Sequence, residues 1–591
     1  MLDYEKLLEL RSKELASIRS RYDRIAWSRL ATVALSCTLV VVAWRFDGGR
    51  IAWLGALGSA LAFLALVFVH ARLARLRSNA EAAVAWCQRG IDRARGRWGA
   101  FPDRGDRFAD DDHPYALDLD VFGPSSLFQY LNDTRTALGA RSLASWLTKA
   151  ASASEIAQRQ SAVRELSSRH DLREELFVAG SHQGPLPDPD PLLRWTLGKP
   201  QAPVALGWRV WAWLSPTALI AVLIGSSLGT NPSWPAVVLF VLNAAVLALL
   251  RKRLEPLIEA IGRRAEELDR YGVVLGVFER ARVESPVLRD LQQHCAGASR
   301  QIARLSRLVG WLDARQNGAF RAIFGPALLW DLHWSAAIEA WQRREGDAPH
   351  RWLASLATFE ALVSLASFAA EHPSYAMPEL RDTLAFEAEG LGHPLIDDPK
   401  RVVNDVVLTG PGSVLLVTGS NMSGKSTLLR SMGTAAVLAM AGAPVCARKL
   451  VIGHCAVRTS MRVSDSLRDG VSRFYAELLK LKRVVESSAS EPVFFLLDEV
   501  LHGTNSRERH IGARSILRTL AARSAMGAVS THDLALADLE QTLPGQVRMV
   551  HFQEQVVEGN MTFDYKLREG IVTSGNALRW MRHVGLEVDE P

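Results

Sequence analysis

Four uncharged apolar stretches, set in two close pairs, constrain this 591-residue chain more than any other feature. Residues 30–44 and 51–69 contain no charge, and only Arg45-Phe46-Asp47-Gly48-Gly49-Arg50 separates them, a stretch whose glycines suit a tight turn. Residues 210–230 and 234–250 form the second pair around Asn231-Pro232-Ser233. A helix needs about 20 apolar residues to cross the hydrocarbon core of a bilayer. Two of the four stretches reach that length, and the first and fourth do so with snorkelling flanks.

The flanks favour a membrane over a protein core. Arg11, Lys13, Arg19, Arg21, Arg24 and Arg29 precede the first stretch, Arg72, Arg75 and Arg77 follow the second, and Arg251-Lys252-Arg253 follow the fourth. By the positive-inside rule both hairpins point outward and every large segment stays cytoplasmic. Trp27, Trp44, Trp53, Trp208, Trp211, Trp213 and Trp234 stand near the stretch ends, where amphipathic rings prefer the interface. Twenty-nine residues precede the first stretch and a second arm follows at once, a pattern unlike a cleaved signal peptide. The expected setting is a multi-pass protein of a bacterial inner membrane, in contact with the lipid bilayer, with both termini cytoplasmic.

Between and after the hairpins the chain reads as globular. Residues 1–29 read as a charged amphipathic helix, and 30–71 as the first hairpin. Residues 72–206 read as a helical region, with one helix starting at Ser125-Ser126-Leu127 and another near Ser154. It closes on an extended linker at 181–203 that holds six prolines. The second hairpin, 207–250, leads into 251–383, read as long amphipathic helices that run directly from Leu250 through 269. Asp110-Asp111-Asp112-His113 reads as a solvated acidic loop rather than a metal site. Five cysteines without C-x-x-C spacing exclude a disulfide framework and a zinc module.

From about Leu384 short apolar runs such as Val414-Leu415-Leu416-Val417 alternate with helical stretches, the pattern of a buried parallel sheet in an α/β domain spanning 384–591. Gly419-Ser420-Asn421-Met422-Ser423-Gly424-Lys425-Ser426 follows one such strand and opens a helical run from Thr427. This is G-x-x-x-x-G-K-[ST] in the context it requires. Its amides can wrap phosphates at the positive end of the following helix. Lys425 would reach the β/γ-phosphates and Ser426 would ligate Mg²⁺, so the expected ligands are ATP and Mg²⁺. Phe494-Phe495-Leu496-Leu497-Asp498-Glu499 supplies Asp498 as a second metal ligand and Glu499 to deprotonate water. Gly527-Ala528-Val529-Ser530-Thr531-His532 reads as another strand, ending in a His that can sense the γ-phosphate.

The run from Thr418 to Thr427 resembles the nucleotide loop of the MutS family. Asp498-Glu499-Val500-Leu501-His502-Gly503-Thr504-Asn505 resembles its Walker B and D-loop. Gly392-His393-Pro394-Leu395 with Asn404-Asp405, the signature segment from Asp465 through Glu477, and Phe563-Asp564-Tyr565 through Gly570 extend the match over about 200 residues. The run from Ser126 to Arg141 resembles the start of its helical core, and the run from Arg159 to Leu166 continues it. The resemblance implies an ABC-type P-loop ATPase domain behind an all-α core and lever. It also implies a homodimer in which Ser472 opens a signature helix facing the partner's γ-phosphate. A membrane hairpin stands where the family's mismatch-reading domain would be. The only Phe-x-Glu copy, Phe552-Gln553-Glu554, falls inside the ATPase region and reads as a chance match. Residues 401–591 hold 22 Lys and Arg against 19 Asp and Glu, a balance that does not itself argue for DNA. The sequence favours a membrane-anchored ATPase acting on DNA. The alternative is a transport or remodelling ATPase, and an ATP-switched scaffold fits poorly with an intact Asp498-Glu499 pair.

Overall fold

In the computed structural model, residues 3–571 are described apart from 46–48, 182–187, 199–205, 421, 463–472, 502–503, 533–535, 537 and 558–559. The apolar stretches lie at the turn-side ends of the hairpin helices. Tyr4–Arg45 is one helix, and Gly49–Ala94 returns against it. Both helices run unbroken across the segment boundaries expected at 29/30 and 71/72, because no proline breaks either helix and no glycine breaks the first. Leu206–Ser227 and Trp234–Ile261 form the second pair. Five described helices are long and apolar enough to cross a membrane. Burial separates them: 78% of the most apolar window of Ala348–Glu371 is buried, against 0–22% for the four hairpin helices. The fifth is therefore a core helix. On the others Trp44, Ile51 and Phe68 lie 82%, 86% and 76% exposed.

The lower end of the first hairpin docks on the helical core. Tyr4, Trp86, Cys87 and Ile91 pack with Phe177, and the absence of a side chain at Gly90 admits the Tyr4 ring. Arg93 is buried and binds both Asp133 and Glu371, while Arg89 binds Asp133 at 2.8 Å. Tyr4 Oη donates to Glu371 at 3.2 Å. Burial penalises the Asp133 carboxylate, but Arg93 and Arg89 outweigh it and hold its pKa well below the usual range.

The core helices differ from the expected pattern in three places. The helix predicted near Ser154 begins at Ala153, because Ser152 and Glu155 form a reciprocal capping box. The 181–203 linker contains a helix, Asp190–Leu197: Pro191 sits in its first turn, where proline is tolerated, and Trp195 is buried against Trp341. Pro185, Pro187, Pro200 and Pro203 lie outside the described residues. The long helices expected over 251–383 are mostly short. The helix from the second hairpin stops at Gly262, so Leu250 does not run unbroken to 269. Ala265–Arg280, Pro286–His294, Ala298–Asp313, Gly318–Leu328 and Trp330–Glu345 follow, and Leu329 breaks the last two apart at φ 48°. Only Ala348–Glu371 is long.

The C-terminal part is mixed α/β. Its strands are β1 Glu379–Arg381, β2 Ala385–Leu391, β3 Asn404–Thr409, β4 Val414–Thr418, β5 Lys449–Gly453, β6 Ala456–Ser460, β7 Val493–Asp498, β8 Met526–Thr531, β9 Val547–Val557 and β10 Asn560–Glu569. A six-stranded sheet runs β10-β9-β4-β8-β7-β6, parallel except for β10 at its edge. A smaller mixed sheet runs β1-β5-β2-β3. Apolar runs fill the central strands because a parallel sheet is covered on both faces, and β4 is buried at every residue. The helical core grips this part through Asp118, which accepts from Thr459 Oγ1 at 2.7 Å and from the Met461 and Arg462 amides at 3.0 Å. Leu119 fills the space left open by Gly433.

Removing Arg93 takes the only cation off Glu371 among the described residues and leaves buried Asp133 with Arg89 alone. Arg93→Ala should cost about 3–5 kcal/mol, the range for breaking a buried charge pair, read as a lower Tm in detergent. Lys13→Ala, at an exposed pair, should leave Tm unchanged.

Candidate nucleotide site

Three adjacent strands end together. In register, Thr418 of β4 pairs with Thr531 of β8, and Ser530 of β8 pairs with Asp498 of β7. The residues that follow these ends are the 419–426 loop, His532 and Glu499. Ligands of open parallel sheets bind at such carboxyl ends.

The loop is shaped by its glycines. Gly419 and Gly424 adopt φ 141° and 107°, and a side chain at Gly419 would approach the Phe552 carbonyl to 2.9 Å. The helix Lys425–Ala441 starts at Gly424 with its positive end toward the loop. Lys425 is buried, and its Nζ donates to the Gly419 and Ser420 carbonyls at 2.8 Å each. Burial lowers its pKa, and the charges of Glu499 and Asp498 oppose that shift. Ser420 Oγ and Ser423 Oγ are buried with no hydrogen-bond partner among the described residues. Two orphaned hydroxyls and a cramped ammonium in one loop fit an incoming polyanion.

Asp498 accepts from Ser530 Oγ. The Glu499 amide donates to Ser530 O at 3.2 Å, and Glu499 itself adopts φ 51°, a left-handed conformation that costs energy outside glycine. The Glu499 carboxylate pairs with His532 Nε2, and His532 Nδ1 lies 3.5 Å from Lys425 Nζ. The structure thus brings Gly419, Ser420, Ser423, Gly424, Lys425, Ser426 and Thr427 to one place with Asp498, Glu499 and His532. Met422 belongs to the loop but projects outward, 86% exposed. Asn421 and Ser472 lie outside the described residues.

A cavity of about 470 Å³ opens beside the loop, within the size range of small-molecule sites. Its far wall is Leu391, Ile396, Val402, Asn404, Phe552 and Tyr565. Asn404 fixes that wall: its Nδ2 donates to Tyr565 O at 2.9 Å and its Oδ1 accepts from the Leu567 amide at 2.8 Å. The sequence reading assigned no role to this wall or to Ser530. Asn404 entered the sequence reading only through the Asn404-Asp405 resemblance, and its partners stand about 160 positions away. Phe552, the first residue of the Phe-x-Glu copy, is a wall of this cavity. Ile396 also lines a second cavity, which contains Arg93, Glu371 and Asp398.

With this geometry in place, comparison with known proteins is direct. The profile of MutS domain III matches residues 116–317, and that of MutS domain V matches 415–587. The chain belongs to the MutS family. It is similar to DNA mismatch repair protein MSH3 of Phaeosphaeria nodorum, 33% identical over 37% of this chain and 20% of that protein. Against DNA mismatch repair protein MutS of Staphylococcus haemolyticus the figures are 29%, 37% and 25%. Against DNA mismatch repair protein MutS 2 of Halobacterium salinarum they are 31%, 40% and 27%. The matches thus span about a fifth to a quarter of these MutS relatives' own length.

His393 opens the turn that carries Ile396. Burial, and then the charge of Arg430, lower its pKa from 6.5 to about 4. The unfolded chain takes up that proton below pH 6.5 and the folded protein does not. Stability from this residue is therefore complete above pH 6.5 and lost as pH falls toward 4, by on the order of 3 kcal/mol. His393→Gln should flatten the Tm-versus-pH slope in that window.

Proposed function

We propose that the chain is a membrane-anchored ATPase of the MutS family that binds and hydrolyses ATP at a dimer interface and couples the cycle to DNA. The convergence of Lys425, Asp498, Glu499 and His532 on the 419–426 loop carries this reading. The loop amides and Lys425 would hold the phosphates, and Ser426 with Asp498 would hold Mg²⁺. The ion would supply charge neutralisation along the phosphates. Glu499 takes the proton of the attacking water, and His532 orients the carboxylate. Ser530 positions Asp498 and the Glu499 backbone. Ser472 of a second copy would complete the site, so that nucleotide closes a homodimer and hydrolysis reopens it.

Anchoring rests on the two hairpins, whose apolar flanks face away from the protein. The large segments and both termini would then be cytoplasmic, in a bacterial inner membrane. DNA as partner rests on the relatives, which are named for mismatch repair. A second reading, an ATPase that does mechanical work on the membrane without DNA, is favoured by one observation: Ile396 lines both the nucleotide cavity and the cavity beneath the first hairpin.

Glu499→Gln should lower ATP turnover about 100-fold or more while leaving nucleotide binding intact. Lys425→Ala should lose binding itself. Unchanged turnover in Glu499→Gln would remove that residue from the chemistry. The solubilised protein should bind duplex or branched DNA with an affinity that falls as salt rises. No binding at low salt, with or without ATP, would select the second reading.

A further inference from the structure

One surface remains unexplained by the hairpins and the nucleotide site. The helix Gly318–Leu328 carries a single charge, Arg321, and residues 322–330 carry none. A core helix of that composition would be covered. Here Ile323 is 57% exposed and Phe324 47%, beside Trp311 at 54%. Isolated exposed apolar residues are ordinary, but a cluster is not.

The cluster is ordered. Trp311 stacks on Trp334 at 5.7 Å, Phe320 meets Trp330 edge-on at 5.0 Å and stacks on Phe324 at 5.0 Å. Trp330 Nε1 donates to the Trp311 carbonyl at 2.7 Å. The tryptophans are amphipathic and the phenylalanines apolar, and the five rings are held by one another.

The height of the cluster is fixed by the second hairpin. Leu329 and Leu332, just after the helix, pack on Ala212, Leu250 and Leu254. His333 bonds the Ala212 carbonyl at 2.7 Å and its ring lies edge-on to Trp213 at 4.8 Å. The helix therefore stands level with the point where the last apolar stretch gives way to Arg251-Lys252-Arg253, all exposed. At about 16 Å it is too short to cross a bilayer.

We propose that Gly318–Leu328 is an interfacial helix, lying in the headgroup layer of the same bilayer that the second hairpin crosses, with Ile323 and Phe324 turned to the acyl boundary. Its occupant is a lipid surface: the apolar face continues that of the hairpin, the rings suit the interface, and Arg321 with the 251–253 cluster suits anionic headgroups. The proposal rests on the membrane reading above. It adds a second contact that holds the core against the bilayer and fixes its orientation.

The test uses the full chain in vesicles of phosphatidylcholine and phosphatidylglycerol. Cys37→Ser removes the exposed thiol, and the other four cysteines are buried. An environment-sensitive fluorophore is placed singly by Ile323→Cys, Phe324→Cys, Leu223→Cys in the second hairpin, or Val407→Cys on β3. Variants are used only if they keep wild-type ATP turnover. The expected result is quenching of 323 and 324 by a shallow nitroxide lipid, with iodide quenching several-fold weaker than at 407. Leu223 should respond to a deep nitroxide lipid. Iodide-accessible 323 and 324 with a lipid-quenched 223 would overturn the interfacial helix and leave the anchor standing. Iodide-accessible 223 would overturn the anchor, and the proposal with it. Protection of 323 from both quenchers, with 323–323 crosslinking, would overturn the lipid occupant in favour of a second copy.

Discussion

The position of the first hairpin depends on one buried cation. Taking Arg93 out of water costs several kcal/mol, and that cost is offset only while Asp133 and Glu371 both remain on it. Such a contact tolerates little displacement, unlike an apolar patch. It joins three separate parts of the chain: the hairpin helix, the turn before the core helix at Ala137–Thr148, and the end of the buried helix Ala348–Glu371. Because Glu371 ends that helix just before β1, the hairpin is located relative to the sheet as well as to the core.

The same logic of directional contacts recurs at the sheet. Asp118 closes three hydrogen bonds onto the exit of β6, and Asp120 binds Arg430 on the helix behind the nucleotide loop at 3.0 Å. The segment leading toward Ser472 and the helix carrying Lys425 are thus both held by the helical core. Apolar packing gives the domains their cohesion; these few carboxylates set their register.

Much of the site was legible in the sequence. A glycine-bounded loop ending in Lys425-Ser426, and apolar strands ending in Asp498-Glu499 and His532, depend on local pattern, and local pattern survives folding. What escaped depends on distant partners. The wall of the nucleotide cavity draws on positions 391 to 565, and Asn404 acquires its role only from Tyr565 and Leu567. Ser530 looked like one more strand residue until register set it opposite Asp498. The fold shows the same division. The apolar stretches were plain, but the helix at Asp190–Leu197 forms in a proline-rich segment because Trp195 finds Trp341. The break at Leu329 is equally a tertiary event, since Leu329 adopts a left-handed backbone while buried against the second hairpin.

The continuity of Gly49–Ala94 has a mechanical consequence. From Gly49 to Arg93 a continuous helix at 1.5 Å per residue is a strut of about 66 Å. A tilt of about 5° at its buried foot sweeps the outer end through roughly 6 Å, more than a full turn of helix. Small rearrangements around Arg93, too slight to disturb its ion pairs, become displacements at the far end as large as the spacing between neighbouring side chains.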